Sequence, residues 1–137
     1  MKKIIVLLLL ATLFAACEKE GGEESDFDYE LKELYGTWDV THIKGEDGDY
    51  ASITTPLVRD FYGETYIVFN SNNTYRLRGW FGDIDGEYKT DGKNVLLYDG
   101  DELVAMCYFS YIMDGNAEVR ITIMETMYIS DIKAKRR

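Results

Sequence analysis

The chain has one histidine, one proline and two cysteines among its 137 residues. A lone histidine, His42, supplies no pair of imidazole ligands for a metal. Neither a G-x-S-x-G elbow nor a phosphate-cradling loop is present, so the commonest hydrolytic and nucleotide-handling chemistries have no signature here. As a base, His42 would need a nucleophile and an orienting carboxylate that no motif flags. Its place in an alternating stretch, on the side of Trp38, suits a packed or hydrogen-bonded strand residue better. The chain therefore reads as a non-enzyme without cofactor or metal. Scarce proline beside twelve glycines fits many tight turns rather than a linker-rich protein. Positive charge is also short: the net charge is −10, and Lys2 and Lys3 stand before every acid. Such a field opposes nucleic acid and anionic membrane surfaces, and is silent about neutral ligands.

What is there begins with an address. Lys2-Lys3, an apolar run over 4–14 and the small pair Ala15-Ala16 have the order of an export signal. The run is too short to span a bilayer, which takes about 20 residues. Leu13-Phe14-Ala15-Ala16-Cys17 resembles the lipobox of bacterial lipoproteins, with Phe14 where that family usually has leucine. The resemblance implies cleavage before Cys17, lipidation of Cys17 and a stable membrane anchor, since two or more acyl chains suffice. Residues 1–17 are thus a lipoprotein signal peptide, and 18–26, acidic and without a core-forming pattern, a flexible tether. Acids directly after the lipidated cysteine also resemble the surface-export signal of Bacteroidetes-type lipoproteins, which implies an outer-membrane location on the cell surface. A solvated spacer explains the same residues.

Residues 27–137 hold a single domain. Ser25-Asp26 can cap a short helix running to Tyr35, with Phe27, Leu31 and Leu34 on one face. Strand alternation follows over 37–43, with Trp38, Val40 and His42 together. The stretch 50–63 is either a short helix started by Thr55-Pro56, packing Leu57, Val58, Phe61 and Tyr62 as a lid, or an irregular loop. Strands are predicted over 65–69, 74–81, 86–90, 94–98, 102–113, 117–124 and 127–134, separated by turn signals such as Asp91-Gly92 and Asp99-Gly100. About eight short strands in successive hairpins predict a sandwich or an up-and-down barrel.

Gly36-Thr37-Trp38 resembles the G-x-W that opens the first strand of lipocalins and of shorter bacterial lipocalin-like domains. The resemblance implies an all-β, small antiparallel up-and-down barrel with a short N-terminal helix, the tryptophan plugging one end. It also implies a basic residue near the last strand over that tryptophan, for which Lys133, Lys135, Arg136 and Arg137 are available. A frayed, solvated tail is the other reading of those residues. An eight-stranded barrel is either filled by side chains or holds one small ligand. In the second case Trp38, Tyr75, Phe81 and Phe109 are the candidate lining of a site for a small apolar or amphipathic ligand. Glycan capture on exposed tyrosines and Trp80 is a variant.

The remaining features are weaker. Asp83-Ile84-Asp85-Gly86-Glu87 misses the spacing of a calcium loop and suits a hairpin turn. Cys107, left alone once Cys17 is lipidated, reads as a small core residue. Tyr66, Tyr75, Tyr88, Tyr98, Tyr108, Tyr111 and Tyr128 fall in predicted strands, where tyrosine suits either a ligand wall or a half-buried sheet. The stretch 103–113 is apolar on both faces, one carrying Phe109, Tyr111 and Met113, the other Met106, Tyr108 and Ile112. Its outer face should be covered, by 50–63 or by a protein partner, and a filled barrel that docks a partner through this wall is the alternative function.

Overall fold

The computed structural model describes residues 27–137; the predicted leader, Cys17 and the tether at 18–26 lie outside them. Helix α1 is Leu31–Leu34, and strands β1 (Gly36–Lys44) and β2 (Tyr50–Ser52) follow. Helix α2 is Pro56–Tyr62, then come β3 (Tyr66–Phe69), β4 (Thr74–Arg78), β5 (Ile84–Asp91) and β6 (Asn94–Asp99). The long strand β7 (Glu102–Met113), β8 (Asn116–Ile123) and β9 (Tyr128–Arg136) complete the chain. From β3 onward each strand pairs antiparallel with the next, β1 pairs with β3, and β9 returns to pair with β1. Eight strands thus close an up-and-down barrel, and β2 is an extra strand laid along the far end of β1.

The alternation of the sequence builds the wall directly. In β4, Tyr75 and Leu77 point in while Arg76 is exposed. In β8, Ala117, Val119 and Ile121 point in while Glu118 and Arg120 are exposed. Strand β4 stops earlier than the apolar pattern predicts. Gly79 has φ +97°, and a β-carbon there would lie 2.5 Å from the carbonyl oxygen of Glu64, so the chain leaves the sheet and Phe81 sits in a turn.

Bulges reverse two expected faces. Ser110 is the extra residue of β7 against β8, so Ile112 turns inward and Tyr111 and Met113 outward. Thr41 is the extra residue of β1 against β9, so Ile43 rather than His42 joins the core. The 50–63 stretch does contain the helix started by Pro56; Ile53 before it is buried in the core and Val58 packs against that core, but Leu57 and Phe61 are 70% and 78% exposed. It does not cover β7, whose Tyr108, Tyr111 and Met113 remain exposed.

One end of the barrel, the base, is closed by α1. This helix is shorter than predicted because Phe27 forms a bridge with Gly92 and Asp28 donates its N–H to the Gly92 carbonyl at 2.8 Å, holding that segment extended. Leu34 is fully buried, and its carbonyl accepts the Trp38 indole N–H at 2.7 Å. Arg136, opposite Trp38 on β9, donates from Nη1 to the carbonyls of Glu33 at 2.7 Å and Lys32 at 3.0 Å. Its guanidinium lies 5.8 Å from the indole ring centre. Arg137 is equally engaged, with Asp39 and Glu64 both at 2.8 Å. The basic end is thus part of the closure and not a frayed tail.

Arg136→Ala would leave the last carbonyls of α1 without this donor, and hydrogen bonds from a charged donor to such groups are worth about 2 kcal/mol. Urea unfolding should show that loss, with Arg136→Lys recovering only part of it because the planar fork is gone.

Candidate functional site

Side chains occupy the interior of the barrel. Trp38, Tyr75, Phe81 and Phe109, the predicted lining, all lie in the core. Phe109 is its centre: Trp38, Phe69 and Phe27 each meet its ring edge-on, at 6.2, 6.2 and 6.4 Å between centroids. Phe69 in turn meets Tyr88 at 5.2 Å. Leu77, Val95, Leu97, Ile121 and Ile132 fill the barrel above this cluster, all essentially without solvent contact. Phe81 lies apart from the other three candidates, at the opposite end, where its ring approaches Tyr128 at 6.3 Å.

The tyrosines divide by depth. Those pointing inward send their hydroxyls to main-chain carbonyls: Tyr88 to Asn70 at 2.7 Å and Tyr75 to Tyr98 at 3.1 Å. The Tyr98 carbonyl reaches Tyr75 across Gly86, where a β-carbon would lie only 1.8 Å from that oxygen. Burial pushes the Tyr75 phenol up to about 12, helped by Asp99 and Asp85, and raises Tyr88 as well. Tyr66 and Tyr98 lie under cationic side chains, Arg137 at 5.2 Å and Lys89 at 5.3 Å. Tyr108, Tyr111 and Tyr128 are exposed.

Among the described residues, chemistry-bearing side chains do not converge. His42 lies outside the core, its Nδ1 2.9 Å from the Thr41 hydroxyl. Cys107 is wholly buried, and burial alone pushes its thiol up to about 12, leaving it protonated and unreactive. Asp85 pairs with Arg78 at 2.9 Å and Arg76 at 3.5 Å, and the Arg78 hydrogen bond holds its carboxyl below the usual range. Asp83 instead accepts the Gly79 N–H at 3.3 Å. Among the described residues no group of three or more His, Cys, Asp or Glu side chains is placed to hold a metal ion. Among the described residues Ser130 is the one anomaly: its inward hydroxyl is buried and has no hydrogen-bond partner.

Concave surface is found outside. On the wall, a groove of about 290 Å³ is lined by Lys44, Tyr50, Tyr108, Glu118, Arg120 and Asp131. Its charges are matched: Arg120 grips Asp131 through two bonds of 2.7 and 3.1 Å, and Lys133 sits 4.5 Å from the Tyr50 ring. The end opposite α1, the mouth, carries a larger groove of about 480 Å³. Ile84, Leu103, Val104, Ile123 and Met124 form its apolar floor. Its rim is Asp83, Asp85, Asp99, Glu102 and Glu125, with no basic residue. Beside it the apolar surface continues through Tyr128, Met127 and Ile129, all exposed. Sequence reasoning missed this groove. The available signal was topological: in an up-and-down order every second turn falls on one end, and Glu46, Asp47, Asp49, Asp83, Asp99, Asp101 and Glu125 all belong to that set.

No protein-family model, curated protein or solved structure matches the chain. Its class is defined by the geometry itself: a closed, eight-stranded, up-and-down β-barrel.

The buried phenols stabilise the fold in their neutral form. That stabilisation is complete below the unfolded value of 10.0 and is lost as pH rises through about 12, where Tyr75 ionises. An alkaline titration followed by phenolate absorbance should show these two tyrosines ionising late, together with loss of near-ultraviolet dichroism. Ser130→Ala tests the interior. Removing a buried hydroxyl without a partner should raise stability by about 1 kcal/mol in urea unfolding, and a loss instead would mean that something inside the barrel satisfies it.

Proposed function

We propose that this is a non-enzymatic interaction module, carried on a lipidated Cys17 at the outer-membrane surface, whose filled barrel engages a protein partner from outside. The observation that carries the reading is the packed interior. The Trp38, Phe69 and Phe109 rings and the aliphatic layer above them already occupy the space a carried molecule would need. Concave and apolar surface lies instead on the wall and at the mouth. The wall of β7 offers Tyr108, Tyr111 and Met113 uncovered, as the partner-docking alternative requires. The leader over 1–17 and the lipobox resemblance around Cys17 support the anchor, and the acids at 18–24 support surface display.

A carrier reading, with a small apolar or amphipathic ligand among Trp38, Tyr75, Phe81 and Phe109, is favoured by one observation, the partnerless hydroxyl of Ser130. Native mass spectrometry separates the two. The protein carrying Cys17→Ser, incubated with an extract of its own cell envelope, should keep its apo mass. A discrete small-molecule adduct, lost on mutating Tyr75 or Phe109 with the fold intact, would establish the carrier instead. The anchor is tested by feeding labelled palmitate, which should enter the wild-type chain and not the Cys17→Ser chain. Protease added to intact cells should digest the wild-type protein; its survival until lysis would overturn surface display.

A further inference from the structure

We infer that the mouth of the barrel is a docking site for a basic, amphipathic segment of a partner protein. The segment would be seated in the groove between the β4–β5 turn, the β6–β7 hairpin and the β8–β9 turn. The inference rests on the interaction-module reading and adds to it the place and the chemistry of the partner.

Three observations select this occupant. First, the groove combines an apolar floor with a rim of one sign. Of its five carboxylates only Asp85 is in an ion pair among the described residues, and it is paired from the wall side by Arg76 and Arg78. The wall groove, by contrast, neutralises its own charges. Second, the rim carboxylates are spread around the groove and do not converge on a point that could hold an ion. One small cation therefore cannot satisfy them. A chain with several Lys or Arg residues and apolar side chains between them can, its apolar groups meeting Leu103, Ile123 and Met124. Third, the chain enters the barrel at the base, where Phe27 bridges Gly92. An anchor at Cys17 would therefore join the barrel at the end opposite the groove, which leaves the mouth free for a partner. Nucleic acid and an anionic bilayer are repelled by the same carboxylates.

The test uses a synthetic peptide of alternating lysine and leucine, titrated calorimetrically into the protein carrying Cys17→Ser and followed by backbone and methyl NMR. Alternating glutamate–leucine and lysine–serine peptides are the controls. Binding by the first peptide alone is expected, with shifts confined to Asp83, residues 99–104 and residues 123–125. The combined variant Asp99→Asn/Glu102→Gln/Glu125→Gln, all at exposed positions, should weaken it about ten-fold. The equally discharged variant Glu46→Gln/Asp47→Asn/Asp49→Asn, at the same end but outside the groove, should change it by less than about two-fold. Met124→Gln should weaken binding without changing charge. Equal effects of the two discharged variants, or equal binding of the lysine–serine peptide, would reduce the groove to diffuse attraction and overturn the inference. So would the absence of binding, and in each case the filled-barrel reading would stand. Shifts at the interior methyls of Leu77, Ile121 and Ile132 would overturn both.

Discussion

The base of the barrel depends on one indole. Trp38 is buried between the first strand and α1, gives its N–H to the Leu34 carbonyl, and carries the Arg136 guanidinium over its face. Arg136 then spends its donors on the carbonyls that a four-residue helix leaves open at its end. So short a helix has almost no stability of its own. It persists because Leu34 is buried below it and a cation from the last strand closes it off. The first and last strands of the barrel are therefore held together twice, by their ladder and by this clamp.

From that closed base the interior is organised by rings at the bottom and branched aliphatics above. Phe109 receives three aromatic edges, and the inward tyrosines bring hydroxyls that end on main-chain carbonyls. A small barrel filled in this way has its shape set from within. On the outside the two ends differ sharply. The base carries Lys32, Lys135, Arg136 and Arg137 beside its acids, while the turns of the mouth carry almost only carboxylates. A net charge spread evenly would mainly serve solubility; concentrated at one end beside apolar surface, it gives the molecule a direction.

Much of this was legible in the sequence, because hairpin strands advertise themselves through alternation and turn chemistry. Asp91-Gly92 and Asp99-Gly100 mark hairpins, and the order of strands follows from them. The G-x-W stretch pointed to the plug and to a basic residue above it. What escaped was whatever depends on one extra residue. Nothing local distinguishes Thr41 or Ser110 as bulged, since a bulge is decided by the partner strand's register. Yet each reverses a face, sending His42 out and Ile112 in. The candidate lining was legible as inward-facing but not as tightly packed, because alternation reports direction and says nothing about remaining volume. The groove at the mouth is assembled from the ends of several strands and has no motif of its own.

The seam between β1 and β9 also has a consequence for how the chain acquires its shape. Trp38 meets Arg136 and Val40 meets Ala134 from the first strand of the barrel to its last, while every other ladder joins neighbours in sequence or skips only β2. The meander from β3 to β9 can assemble locally, but the cylinder cannot shut until the last nine-residue strand is available. Closure is thus a late, long-range event with a slow entropic search before it. Until β9 docks on β1 the sheet keeps two open edges, so closure is also the step that removes them.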